Sequence, residues 1–286
     1  MDWAAVAKLA FGTSLAVVVF GSGLGARFSD VSALLHRPGL LARSLMAVLV
    51  LAPALAVALV LVLDVHREVA IALVALSISP LPPLLPSRGA KAGGRSEYAL
   101  GLVLVLALSA VPVIVVAAAV LQVVFGRDYV ATPWAIARLL TLSVLAPLLA
   151  GMIVARFSPS TATRLAGPIV RAQRWLLPIA MIALLVSAAP QMWSLLGGGT
   201  LLAVVIFVAG ALAMGHLLGG PDRRDAAVLA FATSCRHPAT ALALASANFP
   251  ATDEHAAVAL YGLVTAVAGG IYTLIAKRRS PSRLSS

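Results

Sequence analysis

The chain has 286 residues, 61% of them hydrophobic and 11% charged, with a formal net charge of +11 and a mean hydropathy of +1.03. A soluble domain carries roughly 25% charged residues, so a water-soluble fold is excluded and an integral membrane protein is expected. The apolar runs are continuous rather than alternating, which excludes a β-barrel, and the single cysteine, Cys235, excludes an intramolecular disulfide.

Apolar runs of about 20 residues predict nine transmembrane helices, near 4–26, 40–63, 67–87, 98–124, 134–156, 175–194, 199–219, 226–248 and 255–276. The first is too long for a signal-peptide core and has only Lys8 near its start, so it is expected to stay as a span. Connections after odd-numbered helices carry Arg27, Arg37, Arg43; Arg88, Lys91, Arg95; Arg156, Arg164, Arg171, Arg174; Arg223, Arg224; and Lys277, Arg278, Arg279, Arg283, which is 16 of the 21 basic residues. The opposite loops hold Arg67, Arg127 and Arg138 together with Asp64, Glu68, Asp128, Asp253 and Glu254. The positive-inside rule then places the N-terminus outside and the C-terminus in the cytoplasm of a multi-pass plasma-membrane protein, the inner membrane in a bacterium. Trp3, Trp134 and Trp193 fall at outer helix ends, and Trp175, Tyr98 and Tyr272 at inner ends, as an interfacial belt requires. The basic tail is expected to touch anionic lipid rather than nucleic acid. The longest polar connection, Ser158 to Arg174, is too short for a soluble domain, so residues 1–286 form one integral membrane domain.

Two segments break the helical pattern. In the third helix, Ser79-Pro80-Leu81-Pro82-Pro83-Leu84-Leu85-Pro86-Ser87 packs in prolines that cannot continue an α-helix. In the eighth, Thr233-Ser234-Cys235-Arg236-His237-Pro238 sets an arginine, a histidine and a proline inside an apolar stretch. An arginine at membrane depth costs about 3 kcal/mol or more and usually faces a cavity or partner. Irregular backbone survives there only inside protein or along a water-filled path. The first segment is either a helix end with a loop or two half-helices. The second is either a solute site or a buried arginine held by carbonyls at a proline kink. Helices five spans apart run in opposite directions, and paired proline-interrupted segments are the sign of an inverted-repeat transporter. The expected fold is therefore an all-α membrane protein of about nine spans, with two discontinuous helices crossing near mid-membrane.

The candidate substrate-binding residues are Ser79, Pro82, Pro83 and Ser87 on the first segment and Thr233, Ser234, Arg236, His237 and Thr240 on the second. The Arg236 guanidinium matches a carboxylate bidentately. His237 is either a proton-coupling group or a hydrogen-bonded helix residue, and Cys235 is expected to pack rather than react. None of the ten acidic residues lies in the interior of a predicted span, Glu68 standing at the very start of one, so no metal site is expected. The spans also hold no carboxylate pair, and His216, His237 and His255 lack a His-Glu-x-x-His setting. Gly21-Ser22-Gly23 lacks the spacing of a nucleophile elbow, and no phosphate loop is present. An enzyme and a cofactor are not expected.

At this point the chain resembles the bile acid:sodium symporter family. The likeness rests on Phe20-Gly21-Ser22-Gly23-Leu24 with Phe28-Ser29-Asp30 and Arg37-Pro38, and on Leu51-Ala52-Pro53 and Ala99-Leu100-Gly101-Leu102. It continues through Leu145-Ala146-Pro147-Leu148-Leu149-Ala150-Gly151, Ala241-Leu242-Ala243-Leu244 and Ala247-Asn248-Phe249-Pro250. The resemblance implies a panel of helices 4–26, 134–156 and 175–194, and a core of helices within 40–124 and 199–276 holding both crossovers. It also implies organic-anion substrates. Where sodium-coupled members carry a glutamate and then Gln-Asn on the second crossover, this chain has Ala232 and Arg236-His237; the Gly-Gly stretch of the first becomes the prolines of 80–86, and following hydroxyls become Gly101 and Val105. Sodium needs oxygen ligands, preferably a carboxylate. The implied function is a secondary transporter of small organic anions with lost or altered sodium coupling, protons being the other candidate ion. The alternative is a transporter-like sensor that binds without translocating.

Overall fold

The computed structural model describes residues 16–82, 84–125, 138, 141–249 and 254–278. These are helical, with no strand among them. Helix α1 (Ala16–Gly25) turns by 76° into α2 (Phe28–Leu35). The Arg27 amide, left free at the start of α2, donates to Asp30 Oδ2 at 2.8 Å. Pro38 is the first residue of α3 (Pro38–Val62), where a missing amide costs nothing. Inside α3 the turn Met46–Leu51 widens to π geometry just before Ala52-Pro53.

Next come α4 (Arg67–Ile78), α5 (Leu85–Lys91), α6 (Ser96–Phe125), α7 (Ala146–Phe157), α8 (Pro159–Leu195) and α9 (Thr200–Leu218). The chain closes with α10 (Arg223–Ser234), α11 (Pro238–Asn248) and α12 (His255–Arg278). Among the described residues α3, α9 and α12 are each long and apolar enough to cross a bilayer alone. Both expected interruptions occur, at Ser79–Leu84 and at Cys235–His237. The first is shorter than the proline run, because Pro86 falls in the opening turn of α5, where a helix tolerates it. The beginning of the first predicted span, most of 134–140, Trp3, Trp134, Pro83, Asp253, Arg279 and Arg283 lie outside the described residues.

Two expectations change. The stretch Ser158–Arg174 is not a loop: from Pro159 it is helical and continuous with the following span, giving 37 residues in α8. Its three alanines, three arginines and Leu165 are good helix formers, and hydropathy ends at the membrane surface where a helix need not. Tyr98 is no interfacial anchor, being 4% exposed with its hydroxyl 2.7 Å from Ser44 Oγ. A buried phenol needs such a partner.

Close packing depends on small residues. A Cβ on Gly215 of α9 would overlap Thr233 Oγ1 and the Leu229 carbonyl of α10, and one on Gly151 of α7 would overlap the Phe20 carbonyl of α1. Backbones brought this near gain dispersion contacts, which drive helix association where lipid is as apolar as the side chains.

Candidate functional site: the junction of two helix breaks

The two breaks meet. Helix α4 packs along α11 and α5 along α10, so the four half-helices cross at their inner ends. There the His237 amide donates to the Pro80 carbonyl at 3.1 Å, one break to the other. Each break frees backbone groups that the low-dielectric interior cannot leave unpaired. Tyr261, from α12, serves two of them: its hydroxyl donates to the Ser234 carbonyl at 2.5 Å and accepts from the Arg236 amide at 2.9 Å.

Arg236 is 3% exposed. Its Nη2 donates to the Val48 carbonyl of α3 at 2.8 Å and its Nη1 to the Ser79 carbonyl of the first break at 3.4 Å. Its Nε has no hydrogen-bond partner among the described residues. The ion pairs there join Arg37 and Arg95 to Asp222 and Asp225, and none involves Arg236. A guanidinium this buried and held only by neutral carbonyls carries a desolvation cost of several kcal/mol, which an anion would offset. A small cavity with room for about one water lies against it, walled by Val48, Ile78, Ser79, Leu106 and Ile114.

His237 caps α11. Its Nδ1 accepts from the Thr240 amide at 3.3 Å and lies 3.1 Å from Thr240 Oγ1. An Nδ1 that accepts the amide proton fits the tautomer with its hydrogen on Nε2, an atom buried without a hydrogen-bond partner among the described residues. Thr233 Oγ1 donates to the Ala211 carbonyl of α9 at 2.6 Å, and Ser234 Oγ to the Ala230 carbonyl at 2.9 Å. Ser79 Oγ turns back to Leu76, so the carbonyl of Ser79, not its hydroxyl, faces the guanidinium. Pro82 is buried in the first break. Ser87 is exposed on α5, bonded to the Leu84 carbonyl and away from the junction. Pro83 lies outside the described residues.

Sequence reasoning missed Val48, Tyr261 and Arg88, whose Nη1 is 3.2 Å from Cys235 Sγ. It also missed a buried carboxylate. Asp225, fully buried in the first turn of α10, pairs with Arg37 and with Arg95 Nε at 3.0 Å, and Arg95 also pairs with Asp222. Asp222 caps α10 by accepting the Arg224 amide at 2.8 Å. That amide, and then the charge of Arg95, hold the Asp222 carboxyl below its ordinary range, while Asp225 pushes the Arg37 guanidinium up. The network ties together the connections after α2, α5 and α9, all of which the charge pattern assigns to one side. No group of three or more metal-ligating side chains occurs among the described residues.

The chain matches the Sodium Bile acid symporter family over residues 13–192, a stretch that includes the first break and ends before the second. No curated protein matches it. The family consists of transporters rather than enzymes, in keeping with apolar helices long enough to span a bilayer. With most of its length covered by that match, the chain belongs to the Sodium Bile acid symporter family.

Proposed function

We propose that the protein is a secondary transporter of small organic anions, built of nine spans with an inverted repeat, in which Arg236 takes the part that a coupling cation plays in its relatives. One observation carries this reading: a buried guanidinium with no carboxylate partner among the described residues sits where both helix breaks meet, donating to the Val48 and Ser79 carbonyls. Carbonyls freed at a helix break, as at Ser79, or in a widened turn, as at Val48, are the oxygens a sodium ion would seek. Here they serve a fixed positive charge, which also repels a second cation. With Ala232 nearby supplying no side-chain oxygen, sodium has little to bind. Small organic anions, rather than sodium, are the partners of this site.

The test is counterflow of organic anions in proteoliposomes. Saturable exchange that persists when potassium replaces sodium supports the reading. Binding without any counterflow would make the protein a sensor, and strict sodium dependence would overturn it.

A second reading concerns protons. Protonating His237 on Nδ1 would remove the acceptor of the Thr240 amide, so a proton bound there would loosen the start of α11. Uptake that varies with pH, and ceases to vary in His237→Gln, supports proton coupling through this residue.

A further inference from the structure

The acceptors that hold Arg236 are vacated by prolines. Within the wide turn of α3 the Ala52 amide bonds to the Ala47 carbonyl. Along the helix the Val48 carbonyl would next be met by residue 53, and that residue is Pro53, which has no N–H. A carbonyl left bare in a membrane interior is costly. The Arg236 Nη2, 2.8 Å away, satisfies it. At the first break Pro80 favours the extended backbone that Ser79 adopts, which ends α4 and leaves the Ser79 carbonyl outside any helical ladder. The Ser79 carbonyl is the other guanidinium acceptor.

We propose that Pro53 is a positioning residue for Arg236. It withholds the one amide that would otherwise claim the Val48 carbonyl, and so pins the guanidinium by its Nη2 while the Nε edge stays unpartnered. An anion arriving at that edge finds its partner already oriented, which lowers the entropic cost of binding. This role rests on the reading of Arg236 as the anion-binding group. Pro53 touches no substrate and acts only through the carbonyl it leaves free. A second Leu-Ala-Pro, Leu145-Ala146-Pro147, follows another π turn at Thr141–Leu145, and supplies the control.

The experiment is a double-mutant cycle on the purified full-length protein, comparing wild type, Pro53→Ala, Arg236→Ala and the pair. Two quantities are measured: the thermal midpoint without ligand, and the affinity for octanoate and cholate. Pro53→Ala returns an amide to the Val48 carbonyl. The expected result is an affinity lowered by about tenfold, the loss of one charge-assisted hydrogen bond, with no further loss in the Arg236→Ala background. The thermal midpoint should fall in the first background and not in the second, and Pro147→Ala should leave affinity unchanged. Equal effects of Pro53→Ala in both backgrounds, including a failure to fold in both, would overturn the proposal. If wild type binds neither anion, the transport reading fails, while the thermal cycle still decides whether Pro53 and Arg236 are coupled.

Discussion

A lone arginine in an apolar run was visible from the sequence, because its insertion cost singles it out. Its partners were not, because they are backbone carbonyls, and side-chain patterns carry no record of them. The prolines do carry one: each deletes an amide, and counting back from Pro53 finds Val48. Tyr261 escaped notice because a single phenol in a long apolar helix resembles packing, whereas its hydroxyl ties the end of α10 to the Arg236 amide in the second break. Tyr261→Phe should cost about 1–3 kcal/mol by stranding buried backbone groups, seen as a lowered unfolding midpoint of the detergent-purified protein. An unchanged midpoint would show that other groups hold the break. For Arg236→Ala the expectation is a loss of about 1–3 kcal/mol in anion affinity, with neutral solutes little affected. Equal losses for charged and neutral solutes would mark Arg236 as purely structural.

Helix interruptions were legible because proline chemistry is local, and both breaks fell where the sequence placed them. The length of α8 was not. Arg164, Pro168, Arg171 and Arg174 suggest a polar connection, but at about 1.5 Å per residue a helix of 37 residues is far longer than a hydrocarbon core of about 30 Å. Hydropathy shows where the membrane ends and not where the helix does. Asp225 was missed for a related reason, since α10 begins at Arg223 and the first apolar residue comes only at Ala226. The α9–α10 contact yields its own prediction. Gly215→Ala drives a methyl group into Thr233 and the Leu229 backbone, an overpacking cost of about 1–3 kcal/mol. Gly25→Ala, which meets nothing within 4 Å, should be tolerated. Comparing their thermal midpoints checks this, and similar values would mean that α9 and α10 adjust freely.

Across the whole molecule, the Arg37, Arg95, Asp222 and Asp225 network joins three connections on one face, while the Arg236 guanidinium at the junction has no ion-pair partner among the described residues. Because the folded-state pKa of Asp222 is lowered from 3.8, its stabilisation is in full force above that value. It is lost as pH falls through the lower folded value. Acid unfolding should therefore begin at higher pH in Asp222→Asn, which keeps an oxygen to cap the Arg224 amide but lacks the charge for Arg95; an identical acid limb would remove Asp222 from the network's energetics. The claim that Arg236 replaces a coupling cation is tested most directly by anion counterflow in proteoliposomes, with sodium or potassium on both sides at fixed pH and ionic strength. The account predicts nearly equal rates in the two salts, and a rate in Arg236→Ala that is strongly reduced in both. A rate that collapses in potassium would contradict it, making sodium rather than the guanidinium the cation that transport depends on.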